Sequence, residues 1–393
     1  MPDNPALSLP DATPLIAEPV EGPRIRTPIL RMRRLSSGMD DGCSLADVGN
    51  FPRRAHMRAP LAGDAKEPHA GAMTTSLPQP RLVDIGGVRL ALRESGAGMP
   101  IVLVHGWPEL SYSWKNQFGP LAEAGYRVLA PDLKGFGGSD APPDARLYDS
   151  ATMADDLSRL LDACKVDRAI FCGHDWGGAL VWPMAQLHPD RVMGVIGVCT
   201  PHKPPPALAP LAIIEKRFGP THYFVQFQPH GEVERLFETD IDRFFRILFR
   251  RAPTRAEMAA AGVRLFDLPG RFRDGPPPEG DLVMSEDDLA VYIAAYRKSG
   301  FTGGVNLYRN IDRNWEIAKS LDSVIRKPAL MISAANDAFL PPEAADGIET
   351  VVPDVERALI PDCGHWVMWE QPARLNAIMI DWLHRRFPAQ KSA

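Results

Sequence analysis

From residue 81 onward the chain shows two alternating periodicities of apolar residues. "RLVDIGG" and "VRLALRE" alternate apolar and polar positions, and Gly86-Gly87 between them predicts a β-hairpin. "PIVLVHG", "YRVLAPD", "RAIFCGH" and "VMGVIGVC" contain short continuous apolar runs, the pattern of strands buried on both faces. Between them, "SATMADDLSRLLDAC" sets Met153, Leu157, Leu160, Leu161 and Cys164 on one helical stripe. "KPALMISA" and "ERALIPD" resume the strand pattern, and "QPARLNAIMIDWLHRRF" predicts a closing helix. Strands alternating with helices predict an α/β fold, a mostly parallel sheet wound on both faces.

The alternation breaks in two places. Residues 201–311 open with "PHKPPPALAP", are rich in aromatics and arginines, and predict helices inserted after the sixth strand as a lid. In that segment Arg243, Arg246, Arg250 and Arg251 are expected to form the solvated face of a helix. Residues 1–80 hold twelve prolines and a single aromatic, Phe51. So little apolar surface does not repay the ordering entropy, and a weakly ordered extension is expected. Met73 begins a stretch that itself reads as a protein start. The predicted organisation is an extension over 1–80, core over 81–200, lid over 201–311 and core again over 312–393.

Composition narrows the partners. A net charge of −5 gives no reason to expect nucleic acid or an anionic membrane. No apolar run reaches the ~18 residues of a membrane span. The five cysteines form no CxxC pair, and Cys164, Cys172 and Cys199 lie in apolar runs, so disulfides and thiolate metal sites are not expected. These features imply a reducing, cytoplasmic setting.

The candidate chemistry centres on "FCGHDWGG". Its spacing is that of a nucleophile elbow, G-x-S-x-G, with Asp175 in place of serine. Gly173 and Gly177 flank it where a sharp strand-to-helix turn leaves no room for side chains. Serine suits acyl substrates, because its acyl-enzyme is an ester that water cleaves. A serine attacking saturated carbon would leave an ether. A carboxylate attacking the same carbon makes an alkyl ester, and water then attacks the enzyme's own carbonyl. Asp175 therefore points to displacement at sp³ carbon.

Hydrolysis of that ester needs a base, a group to orient the base, and an oxyanion hole. His365 in "PDCGHWVMWEQP" follows the last predicted strand, and Asp337 in "SAANDAFLPP" lies just past "ALMIS". Asp175, Asp337 and His365 run in the nucleophile–acid–histidine order of this hydrolase architecture. The oxyanion donors are expected to be the backbone N–H groups of Trp176 and of Trp107, in the loop "HGWPE" after the third strand. His105 is expected to hold that loop, and Trp107–Pro108 is a candidate cis bond. Pro183, inside the helix after Asp175, predicts a bend.

With "HGWP", "GFGGSD" and "GHDWGG" in place, residues 81–390 resemble α/β-hydrolase-fold epoxide hydrolases. The resemblance implies two lid tyrosines that donate hydrogen bonds to the epoxide oxygen. "THYFVQFQPHGEVE" implies Tyr223 for one, and "GGVNLYRNIDRNW" implies Tyr308 for the other. It further implies a small-molecule epoxide and water as the reactants, with no metal or organic cofactor. Haloalkane dehalogenases share the fold, the aspartate and the following tryptophan, and are the alternative. A binding protein that keeps the pocket without catalysis is a third reading.

Overall fold

The computed structural model describes residues 77–388, apart from 252–256, 258–259, 261–264 and 277–279. The expected extension over 1–80 therefore lies almost wholly outside the described residues, as does Met73. An eight-stranded sheet forms the centre, in the order Arg81–Asp84 (β1), Arg89–Ser95 (β2), Tyr126–Pro131 (β4), Met99–Val104 (β3), Ala169–His174 (β5), Val192–Val198 (β6), Ala329–Ala334 (β7) and Val355–Ile360 (β8). β1 (Arg81–Asp84) and β2 (Arg89–Ser95) are the expected hairpin. Gly86 and Gly87 take positive φ at its turn, and the Asp84 carboxylate accepts both of their N–H groups. β2 also runs antiparallel to β4 (Tyr126–Pro131).

Every other pairing is parallel, through β3 (Met99–Val104), β5 (Ala169–His174), β6 (Val192–Val198), β7 (Ala329–Ala334) and β8 (Val355–Ile360). β5 and β7 are buried along their whole length, as continuous apolar runs in a sheet covered on both faces must be. The helix Ser150–Ala163 covers one face with Met153, Leu157, Leu160 and Leu161. Its N-cap is Asp149, which accepts the Thr152 N–H. The helix Trp176–Leu187 runs uninterrupted through Pro183, whose ring nitrogen has no hydrogen to give to the carbonyl one turn back. Cys164, Cys172, Cys199 and Cys363 are buried and free of disulfides.

Register sets where chemistry can occur. Val104 pairs with Gly173, His174 with Val198, and Val198 with Ile332. The carboxyl ends of β3, β5, β6 and β7 thus come level, and the loops leaving them share one edge of the sheet. Open α/β sheets bind ligands at this edge.

Between β6 and β7 the described residues are mostly helical, from Pro210–Phe218 through Thr302–Arg309 to Ile311–Lys319. This segment's described arginines depart from the expected solvated face. Of the four arginines expected there, Arg243, Arg246 and Arg250 are partly buried and Arg251 is exposed. Arg243 donates to the carbonyls of Phe272 and Gly275, Arg246 grips Asp242 and Glu286, and Arg250 donates to the Arg246 carbonyl. The guanidinium fork satisfies carbonyls that helix ends leave open, which an apolar side chain cannot do. Among the described residues no helix is long and apolar enough to cross a membrane.

Candidate active site

Asp175 stands between β5 and the helix Trp176–Leu187 with φ 51° and ψ −121°, a conformation that non-glycine residues rarely adopt. The surrounding glycines make this turn feasible. A Cβ on Gly177 would collide with the Val104 carbonyl, and one on Gly106 with the Asp175 side chain. The sequence thus compresses three backbone segments onto the carboxylate. Thr200, just past β6, donates its hydroxyl to the Asp175 carbonyl at 2.8 Å.

The Trp107 N–H donates to Asp175 Oδ1 at 2.8 Å. Trp176 opens its helix, where the first N–H groups have no intrahelical acceptor. The Trp107–Pro108 bond is cis. His105 holds the same loop: Nδ1 faces the Gly106 carbonyl at 2.8 Å, and Nε2 accepts the Leu133 N–H at 2.9 Å.

His365 Nδ1 lies 2.8 Å from Asp337 Oδ2, and Nε2 lies 3.6 Å from Asp175 Oδ2. Asp337 is fully enclosed, and its Oδ1 accepts the N–H groups of Phe339 and Leu340, both at 2.9 Å. Burial alone would push the Asp337 carboxyl up, but the adjacent imidazole and these N–H donors hold it below the ordinary range. Burial likewise opposes protonation of His365, yet Asp337 and Asp175 beside it hold the imidazole well above its ordinary value.

Tyr223 begins the short helix Tyr223–Gln226, and Tyr308 lies near the end of Thr302–Arg309. Their ring centroids are 5.6 Å apart. Tyr308 also meets Trp176 at 4.9 Å and Trp107 at 5.2 Å, edge to face. Burial, and then the negative charge of Asp175, push the Tyr223 phenol well up. Burial, the neighbouring Tyr223 and Asp175 do the same for Tyr308. Both stay protonated and able to donate. Asp175, His365, Tyr223 and Tyr308 line one cavity with Trp107 and Pro108, and Leu248, Leu265, Leu268 and Phe339 make it largely apolar.

Residues 99–372 match the alpha/beta hydrolase fold family. The chain is 38% identical over 313 residues to epoxide hydrolase A of Mycobacterium tuberculosis, covering 78% of this chain and 97% of that one. The chain belongs to the α/β-hydrolase-fold epoxide hydrolases. A crystal structure of epoxide hydrolase A from Mycobacterium thermoresistibile superposes with a TM-score of 0.70 at 36% identity, covering 78% of this chain and 98% of that one. Pig bifunctional epoxide hydrolase 2 is 40% identical over 301 residues, 76% of this chain. The chain spans about half the length of that relative, 53%.

The motifs alone did not single out the groups that hold their residues still. Glu109 Oε2 accepts the Gly106 N–H at 2.7 Å and faces His174 Nδ1 at 2.8 Å, while His174 Nε2 donates to the His365 carbonyl at 2.8 Å. One buried chain of contacts thereby links the Trp107 loop to the His365 loop. Glu370 accepts the N–H groups of Gly364 and Trp366 on either side of His365. Glu109 and His174 sit inside "HGWPE" and "GHDWGG", and Glu370 inside "HWVMWEQP". Their positions within the motifs were the available signal. Ligand atoms of His174, Cys199 and His365 lie within 4.8 Å of one another, but both His174 nitrogens already face Glu109 and the His365 carbonyl.

Proposed function

We propose that this chain hydrolyses epoxides to vicinal diols through a covalent ester on Asp175. The observation that carries the reading is the shared cavity of Asp175, His365, Tyr223 and Tyr308, with Asp175 Oδ1 bonded to the Trp107 N–H. Residues 201–311 act as a lid that supplies both phenols, while 81–200 and 312–393 supply the nucleophile, the base and its carboxylate. A cytoplasmic location fits four buried thiols without a disulfide.

In the first step Asp175 attacks a ring carbon and the C–O bond breaks toward oxygen. The developing alkoxide is a poor leaving group, so a phenol of Tyr223 or Tyr308 hydrogen-bonds to it and gives it a proton. Alkylation erases the Asp175 charge, one of the two carboxylates that keep the His365 imidazole protonated. His365 then releases its proton, which restores the phenolate to phenol. The neutral imidazole takes a proton from water, and hydroxide adds to the ester carbonyl. The N–H groups of Trp107 and Trp176 stabilise the tetrahedral oxyanion. Collapse passes the last proton from the carboxylic acid to the departing diol oxygen and returns every group to its initial state.

The dehalogenase reading is weaker. A halide departs as a stable anion and needs no proton, so two buried phenols would be idle. The Trp107 indole edge, at Cδ1 and Nε1, is packed against Gly304 of the helix Thr302–Arg309. The deciding experiment uses His365→Gln with styrene oxide, followed by intact-mass spectrometry. The protein mass is expected to rise by one molecule of epoxide, because alkylation proceeds while hydrolysis stalls. An unmodified mass together with steady diol release would sink the ester mechanism, and chloride release from a chloroalkane by the native protein would favour the rival.

A further inference from the structure

The cavity holds one charged group that the proposed mechanism does not use. Arg271 lines it from the helix Leu268–Asp274, beside Leu265 and Leu268. It is the only lysine or arginine among the described lining residues. Its Nη1 donates to the Leu265 carbonyl at 3.1 Å, and this is its one side-chain hydrogen bond among the described residues. The nearby carboxylate of Asp267 is already engaged, accepting the Gly270 N–H at 2.9 Å and the Gln226 amide at 2.8 Å. Burial pushes the Arg271 guanidinium down, and Asp267 only partly opposes this. Arginine nonetheless stays protonated, so the cavity wall carries a positive charge, and most of its five N–H donors have no partner among the described residues.

A partly buried cation facing an apolar cavity is costly unless something pairs with it. We propose, building on the epoxide hydrolase reading, that Arg271 binds the carboxylate of a compact epoxide acid and selects such substrates over neutral ones. A single planar guanidinium matches one carboxylate through two parallel N–H···O bonds. The substrate is compact because Arg271 and Asp175 line the same cavity, and one molecule must reach both. The carboxylate and the ring must therefore lie within a few bonds of each other. A long chain ending in a carboxylate would leave its charge in water, out of reach of Arg271.

The test compares 3-phenylglycidate with its neutral isostere 3-phenylglycidamide, using the native chain, Arg271→Gln and Arg271→Lys. Both compounds use the same reacting groups, so general damage to the site lowers both rates and leaves their ratio alone. The native chain is expected to prefer the acid by about 10–100-fold in kcat/KM, the range for a hydrogen-bonded charged pair. Arg271→Gln is expected to bring the ratio close to one, and Arg271→Lys to keep part of it. Equal turnover of acid and amide by the native chain, or an undiminished preference in Arg271→Gln, would overturn the proposal. Calorimetry with unreactive 3-phenylpropanoate and 3-phenylpropanamide reads the same site without turnover. There the native chain is expected to bind the acid more tightly and Arg271→Gln to bind both alike; equal binding by the native chain overturns the proposal even if every epoxide is left intact. Failure to hydrolyse any epoxide while 3-phenylpropanoate binds through Arg271 would instead sink only the catalytic reading.

Discussion

The two walls of the cavity are built by different physics. On the sheet edge, Asp175, Asp337 and His365 are charged or titratable groups fixed by short hydrogen bonds to backbone N–H groups and to each other. Asp175 takes positive φ where Gly106 and Gly177 lie too close to their neighbours to carry a Cβ. On the helical side, Tyr308 is held by rings: Trp107, Trp176, Phe224 and Phe227 all lie within 5.2 Å of it, centroid to centroid. Bond-making tolerates little displacement of the nucleophile, and rigid backbone contacts supply that accuracy. Stabilising an oxygen needs only donors in an apolar, water-poor setting, and aromatic packing supplies it.

The sharpest break of this contrast comes from removing the proposed nucleophile. Asp175→Ala is expected to lower diol formation by at least about 10⁴-fold, as loss of a covalent nucleophile does elsewhere. Tyr308→Phe and Tyr223→Phe should each cost less, about 10²–10³-fold, since each removes one oxyanion-type donor and keeps the ring packing. Steady-state diol assays on the three variants order the two walls. A tyrosine variant as impaired as Asp175→Ala would mean that the phenols do more than stabilise the leaving oxygen.

The contrast also explains which features the sequence revealed. Runs such as "RAIFCGH" and "KPALMISA" are apolar because both faces of their strands are covered, so β5 and β7 could be read directly. Asp175 stood out through Gly173 and Gly177, residue types that backbone crowding dictates. Tyr223 and Tyr308 had no such local signature, since a buried tyrosine in a helix is ordinary. Only the resemblance singled them out. Glu109, His174 and Glu370 escaped because their roles depend on which loops meet across the sheet edge. The partly buried Arg243 escaped for a related reason, since its carbonyl partners Phe272 and Gly275 lie some 30 residues away in sequence.

If the sheet wall owes its accuracy to several overlapping constraints, removing one hydrogen bond there should cost little. Thr200→Val offers this smallest change, because it keeps the branched shape and deletes only the hydroxyl that bonds the Asp175 carbonyl. That carbonyl also accepts the Ala179 N–H at 3.0 Å, so it is not left unpaired. The loss expected is about 1 kcal/mol, equivalent to about fivefold in kcat/KM if it falls wholly on the transition state. Thermal unfolding should drop by a few degrees at most, on the order of 2–4 °C. A Thr200→Val enzyme slowed as much as Tyr308→Phe would show that the elbow hangs on a single bond. The close backbone packing that Gly106 and Gly177 permit would then be insufficient to aim the carboxylate.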